Sequence, residues 1–472
     1  MNQITFVIPT YRLKEVCETV KAYDADAAFA SFGEKTPIMV FDDSTFSQHG
    51  EHFHLLKKTE TACPLLYVGP EEKTRFVEML SGELGDDANV RLVLQSIFRP
   101  SYGGNRNFTL AYTVGERFFS SDDDMRPFGL VENSGDNESG DVICKGKYVL
   151  PDQTLAEKMS FNLVQAFSGV LGRKVKHLPR TYTRGDFLED DSMDVETNTS
   201  KGSGLGENRI RLTNPGAIDP EAVVRIAQTF RTGTSDVDTM DYVDYFLRDP
   251  NALETEGMSG IYVISFARPA VTDKNWRFDC GVAGYDNSGG LPPFFPTRLR
   301  FEDYIYRLWI AGNQSAASAQ LAEIQHHTRS SYLRPDWFSD LLNEEIANYL
   351  KLKLKETLTG VNTYGIEFGY DGILEKSESD FIFGKMRGVL LRMKDKMEDP
   401  AYYAHRAKLA DFCVTMKKTM EGMHKDTFHK KISNIIDAEM HAIHSSLVLW
   451  PRIYEASRAI KKRGKIPVRR LR

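Results

Sequence analysis

Cysteine is scarce in this chain, and its few copies are not arranged for any common structural use. Cys17, Cys63, Cys144, Cys280 and Cys413 are odd in number and widely spaced, which excludes a CxxC zinc site and suggests no disulfide framework. A reducing, cytoplasmic setting is the expectation. Long apolar runs are missing as well: no window reaches the roughly 18 residues that a transmembrane helix needs. The opening MNQITFVIPTYRL lacks the basic start and apolar stretch of a secretory signal. Basic excess is also absent. A formal net charge of -6 argues against general nucleic-acid affinity, which needs surplus Lys and Arg to meet phosphates, so no nucleic-acid partner is expected. No fixed-period repeat and no long low-complexity segment interrupts the chain.

What is present is enough apolar material for a sizeable core: 41% hydrophobic residues in a chain of 472, a length that suits two or three domains. The first third alternates short apolar runs with helix-length segments, the pattern of βα units and a mostly parallel sheet. Strands are expected at ITFVIP, PIMVFD, PLLYVG and ERFFSS, with helices at LKEVCETVKAYDADAAFASF and NRNFTLAYTVG. Three of these strands end in polar residues, at Thr10 and Arg12, at Asp42 and Asp43, and at Asp122 to Asp124, and in open α/β sheets such ends converge on one ligand crevice. Residues 130–300 are less regular, with a long mobile loop expected near 180–212 and a central strand at SGIYVISFA. After Pro335 several segments place apolar residues three and four apart, which predicts helices. The division is therefore an α/β domain over 1–335 and a helical domain over 336–472.

The last stretch, from Arg458, carries eight basic residues and no acid. It reads as a solvated terminus, a nucleic-acid contact or a peripheral membrane contact at an anionic leaflet, the apolar SSLVLWPRIY before it suiting the last of these. Gly202 to Gly206, GSGLG, has no strand before it and no GK[ST] after it, so it reads as a flexible loop rather than a phosphate cradle. His441 and His444 stand three apart on a predicted helix without an HExxH frame, and read as packing or surface residues.

The chemistry gathers in SSDDD, Asp122 to Asp124. Carboxylates are the hard ligands that Mg²⁺ and Mn²⁺ prefer, and Mg²⁺ commonly shares its shell with substrate phosphates and water. Aspartate runs also cap helices and form turns, so the surroundings decide. Here FVIPTYRL, VFDDST, GGNRNFTLAYTVG and SSDDD follow one another in the first 127 residues. In that order the four motifs resemble the GT-A glycosyltransferases of the large family 2 type. The resemblance implies a Rossmann-like α/β fold with a mixed, mostly parallel sheet flanked by helices, here with a C-terminal helical extension. It implies that Pro9 and Thr10 line a nucleotide with backbone, that Asp43 or Asp42 contacts base or ribose, and that Arg106 sits near base or diphosphate. Asp122 and Asp124 would form the DxD pair, with Asp124 the direct ligand of Mn²⁺ or Mg²⁺ and Asp123 in support. Arg12 stands where the family has Asn, within the nucleotide-sugar-binding set, and DDST lacks the family's glycine.

A second pair, Glu302 and Asp303 in RLRFEDYIYRLWIAGNQ, resembles the acid pair from which inverting members draw their base. Asp303 is the expected base and Glu302 the alternative, although acids in a first helical turn also stabilise a helix by themselves. His327, 24 residues after Asp303, or its neighbour His326, matches the later histidine that joins the metal in many members. Arg307 and Gly312 fall two residues early against the family spacing, which leaves the choice between the histidines open. The implied activity is metal-dependent transfer of a sugar, a hexose by preference, from a nucleotide-diphosphate donor to a hydroxyl of a glycan, lipid-linked or small-molecule acceptor, with inversion. The alternatives are a retaining GT-A enzyme and a carbohydrate-binding or scaffolding protein with a vestigial site. A sugar-phosphate nucleotidyltransferase is disfavoured, because VIPTYRLKE has no glycine-rich loop.

Overall fold

A computed structural model describes residues 4–25, 36–44, 47–132, 142–149, 156–190, 207–213, 218–234, 247, 261–273, 278–299, 302–313, 315–328, 341–350, 375–421 and 425–471. The strands are β1 (Ile4–Thr10), β2 (Ile38–Asp42), β3 (Leu65–Val68), β4 (Arg117–Ser121), β5 (Met125–Arg126), β6 (Phe128–Glu132), β7 (Val142–Val149), β8 (Ala156–Ser160), β9 (Thr183–Arg184), β10 (Asp186–Asp190), β11 (Glu207–Thr213), β12 (Val223–Thr234), β13 (Ile261–Ala267), β14 (Ala270–Thr272), β15 (Val282–Asp286), β16 (Ala316–His327) and β17 (Arg469–Arg470). The result is a mixed α/β protein with one large sheet flanked by helices.

The four expected N-terminal strands form its parallel part. β1 lies between β2 and β4, and β3 continues beyond β2, all parallel. β1 is apolar on both faces because both are covered, as parallel strands require. Phe6 and Ile8 pack with Tyr23, Phe119 and Phe167 on one side, while Val7 joins Phe41, Phe76 and Phe118 on the other. On the far side of β4 the direction reverses: β15 runs antiparallel to β4, β12 antiparallel to β15, and β16 parallel to β12.

SGIYVISFA forms the strand β13, which pairs along its length with β7 and also meets β6 at Ile264 and β12 at Tyr262 and Ile261, so it has neighbours on both sides. Its partial burial fits a sheet with one open face rather than the doubly covered centre. The expected loop near 180–212 also carries more structure than its polar composition suggests: β10 and β11 pair antiparallel, and β11 goes on to β7. Residues 191–206, including GSGLG, lie outside the described residues.

The C-terminal helices Lys376–Glu398, Arg406–Glu421 and Lys425–Lys462 share their core with the sheet side of the molecule. Phe295, Leu299, Tyr304 and Ile305 pack among Met386, Ile432 and Ile436. The last helix continues into the sheet's own core, where Trp450, Ile453 and Ile460 meet Phe98 and Phe108. Trp450 Nε1 donates to Leu291 O at 2.7 Å.

The basic tail then turns back as β17, antiparallel to β3 on the sheet edge. Arg469 pairs with Glu71 and Glu72, Arg463 with Glu83, and Lys461 with Glu116 at 2.7 Å. Closing an exposed strand edge in this way removes a template for unwanted pairing. Among the described residues no helix is long and apolar enough to cross a membrane.

Trp450→Ala is therefore expected to destabilise the whole protein by about 3–5 kcal/mol, the usual cost of emptying a buried aromatic site. Urea unfolding followed by intrinsic fluorescence and circular dichroism checks this; an unchanged midpoint would contradict a shared core.

Candidate functional site

Parallel pairing carries the ends of β1, β2 and β4 to one edge, and each strand delivers polar groups there. The end of β2 divides its two acids. Asp42 is fully buried and accepts from Ser44 N at 2.8 Å, Ser44 Oγ at 2.9 Å and Tyr67 OH at 2.7 Å, with His52 Nδ1 3.3 Å away. Burial alone would raise its pKa, but the neighbouring His52 ring and the bonds from Tyr67 and Ser44 bring it below the usual carboxylate value. Its oxygens are committed to the fold. Asp43 instead pairs with Lys73 Nζ at 3.0 Å, and the same ammonium donates to Asn105 Oδ1 at 2.7 Å and Asp42 O at 2.8 Å. Pro9 and Thr10 run alongside, in register with Phe41 and Asp42.

The three aspartates after β4 sit in different surroundings, although Arg12 reaches two of them. Asp122 accepts from Arg106 Nη2 at 2.6 Å and stays 39% exposed. Asp123 turns inward: Thr10 Oγ1 donates to it at 2.6 Å, and Arg12 grips it through Nε at 3.2 Å and through Nη2. Burial raises its pKa to about 6 against the pull of Arg12, with the charge of Asp124 adding to the rise. Asp124 Oδ2 accepts from Arg12 Nη2 at 2.8 Å and faces His327 Nε2 at 3.2 Å. Burial acts upward here too, but His327 and Arg12 hold this carboxyl far below the ordinary range.

Register decides between the two histidines. β5, directly after the aspartates, pairs antiparallel with the end of β16, opposing His327 to Met125 and His326 to Arg126. Thr328 fixes the same junction, donating from its backbone N and its Oγ1 to Asp124 O, each at 2.9 Å. Successive side chains on a strand point to opposite faces, so one histidine meets the acids and the other cannot. His326 stacks on Phe128 with centroids 4.7 Å apart and lies 3.3 Å from Thr232 Oγ1. Desolvation, aided by His327 and Arg126, lowers its pKa to about 4, which keeps the ring neutral.

Asp124 Oδ2 and His327 Nε2 are thus hard-oxygen and imidazole donors separated by 3.2 Å. Adjacent ligands of an octahedral ion with bonds of about 2.1 Å lie about 3 Å apart, so the spacing of this pair is compatible with two neighbouring ligands of Mn²⁺ or Mg²⁺. Asp122 is drawn to Arg106 instead, and among the described residues no group of three His, Cys, Asp or Glu side chains forms a complete metal shell.

Arg106 joins this region to the second acid pair. It sits on the helix Tyr102–Tyr112, which approaches closely because Gly103 has no Cβ: one there would lie 1.6 Å from Phe295 O. Besides Asp122, Arg106 donates to Glu302 Oε1 at 3.3 Å and Cys280 O at 3.2 Å. Glu302 also accepts from the Cys280 thiol at 3.4 Å. Asp303 stands at the start of the helix Tyr304–Gly312 without making a side-chain cap. Desolvation, opposed by Arg307 and reinforced by Glu302 and Asp279, pushes its pKa up to about 7.

Asp279 was not singled out by the sequence. It is 38% exposed, lies 3.2 Å from Arg231 Nη1, and is anchored through its backbone N to Gln228 Oε1 at 3.1 Å. A Cβ on Gly281 would lie 2.6 Å from Asp122 Oδ2 and 3.1 Å from Asp279 Oδ1, so both acids flank that glycine. Lys73 was missed as well. Its helix, Pro70–Leu84, is not among the elements expected above, and its buried contact with Asp43 depends on how that helix docks.

No protein-family model matches the chain, and no curated protein matches it.

The raised pKa of Asp303 has a stability consequence. Between its ordinary value of 3.8 and about 7 the folded state keeps a proton that the unfolded state has lost, so this group's contribution falls as pH rises and stays low above pH 7. Asp303→Asn is expected to raise Tm at pH 8 and to leave it near wild type at pH 4. Thermal melts across pH check this; an equal effect at both pH values would contradict a shifted Asp303.

Proposed function

We propose that the protein is an inverting GT-A glycosyltransferase, moving a sugar from a nucleoside-diphosphate donor to an acceptor hydroxyl. The observation that carries this reading is the placement of the Asp124–His327 pair, 3.2 Å apart, at the parallel strand ends where α/β sheets bind nucleotides. The motif order of the first 127 residues supports it independently.

In this reading β1 and β2 hold the nucleoside: Pro9 and Thr10 through backbone, Asp43 through base or ribose, with Lys73 fixing the Asp43 carboxylate. Asp124 and His327 would hold Mn²⁺ or Mg²⁺, which would supply positive charge at the diphosphate. Arg106 stands between Asp122 and Glu302, and its guanidinium stabilises charge on the leaving diphosphate.

Asp303 accepts the proton of the acceptor hydroxyl. The acceptor oxygen bonds to the anomeric carbon as the bond from that carbon to the diphosphate oxygen breaks, and one displacement inverts the centre. A carboxylate with a pKa of about 7 is a far better base than an ordinary aspartate while still ionised in good part at neutral pH. Glu302, tied to Arg106 and Cys280, positions the guanidinium.

Asp303→Asn is expected to lower kcat about 10²–10⁴-fold, the usual range for a lost general base, while leaving donor binding intact. Wild-type rate should rise with pH through about 7. The first test is a thermal-shift screen of UDP-, GDP- and dTDP-sugars with and without Mn²⁺. Stabilisation by one nucleotide sugar only when Mn²⁺ is present supports the reading; no stabilisation by any of them would overturn it.

A further inference from the structure

The expected metal ligand, Asp124, already holds a cation that belongs to the chain. Arg12 follows β1, and its guanidinium spans both carboxylates, gripping Asp123 through Nε and Nη2 and Asp124 Oδ2 through Nη2 at 2.8 Å. The oxygen contacted is the one that faces His327. A divalent ion bound there would meet a guanidinium fixed on its own ligand, and like charges at that range repel strongly in a buried setting.

Arg12 is not locked in the core. Its side chain is 23% exposed, its backbone N is fixed by Thr10 Oγ1 at 2.9 Å, and the long side chain beyond can swing without moving β1. A guanidinium fork binds phosphate oxygens in two-point fashion as readily as carboxylates. Resting on the functional reading above, we propose that Arg12 is a tethered counter-ion: it occupies the acid cluster when the site is empty and transfers to the donor diphosphate when the metal enters.

The exchange leaves the formal charge of the cluster unchanged, with one guanidinium against two carboxylates before it and a divalent ion plus that guanidinium against two carboxylates and a doubly charged diphosphate after it. Without ligand, the guanidinium compensates Asp123 and Asp124. With ligand, the metal compensates Asp124 while Arg12 meets the incoming diphosphate, leaving Asp123 to Thr10 Oγ1. The consequence is ordered occupancy. Metal alone binds weakly because it must expel Arg12 with nowhere to send it, whereas metal and nucleoside diphosphate bind together.

The experiment titrates Mn²⁺ by electron paramagnetic resonance into wild type, Arg12→Gln, Arg12→Lys and Asp124→Asn, each alone and with UDP or GDP. Arg12→Gln should bind Mn²⁺ alone at least about tenfold more tightly than wild type, since losing a charge-assisted bond to the ligand is worth at least that factor. Arg12→Lys, which keeps the charge and so protects the fold, should bind it several-fold more tightly because an ammonium cannot span both carboxylates. Equal Mn²⁺ affinity in wild type and both Arg12 variants, with Asp124→Asn still weaker, would overturn the Arg12 role and leave the site reading standing. Asp124→Asn binding Mn²⁺ as well as wild type, even with UDP or GDP, would remove the site reading and this inference together.

Discussion

Three adjacent carboxylates at the end of a buried strand cannot stand without counter-charge, and the surrounding structure is organised by that constraint. Desolvation and mutual repulsion both act against ionising Asp122, Asp123 and Asp124 together. The counter-charge comes from three different parts of the chain: Arg106 from the helix before β4 meets Asp122, Arg12 from the end of β1 spans Asp123 and Asp124, and His327 from the last long strand faces Asp124. These contacts tie the parallel half of the sheet to its reversed half at the point where a ligand would lie. The result is one carboxyl held far below the ordinary range and its neighbour raised to about 6, a separation of protonation behaviour that equal surroundings would not give.

The second acid pair depends on the same arrangement. Arg106 cannot serve Asp122 without also bringing Glu302 near, and Glu302, once engaged, adds to the field that keeps Asp303 protonated to about pH 7. A side chain reading as a helix-start acid in the sequence acquires a raised pKa only in that company. The C-terminal region maintains the geometry from behind. Trp450 is held to Leu291 O, and β17 covers the β3 edge, so segments that look appended in the sequence complete the core and the sheet.

How much was legible follows from how local each signal is. The four N-terminal strands and the aspartates at their ends could be read because buried parallel strands are continuous apolar runs, and a polar residue ending such a run has few other places to go. The helix carrying Arg106 was legible for similar reasons. His326 and His327 could not be separated because one residue of register exchanges their faces, and that register is set by pairing with β5. Asp279 was invisible because its nearness to Asp122 comes from β15 lying beside β4, a contact between distant segments. The basic tail showed only its charge; the acids it answers, Glu71, Glu72, Glu83 and Glu116, lie hundreds of residues earlier. SGIYVISFA was apolar enough for a strand, yet its position in the sheet is a matter of pairing that composition does not encode.

The central claim is that Asp124 and His327 form one divalent-metal position at the nucleotide end of the sheet. Crystals grown with Mn²⁺ and a nucleoside diphosphate, measured at the manganese absorption edge, test it directly. The account predicts a single strong anomalous peak at about 2.0–2.3 Å from both Asp124 Oδ2 and His327 Nε2, ordinary coordination distances for such donors, in contact with the diphosphate. A nucleotide bound at the strand ends with no peak between those two side chains would contradict it.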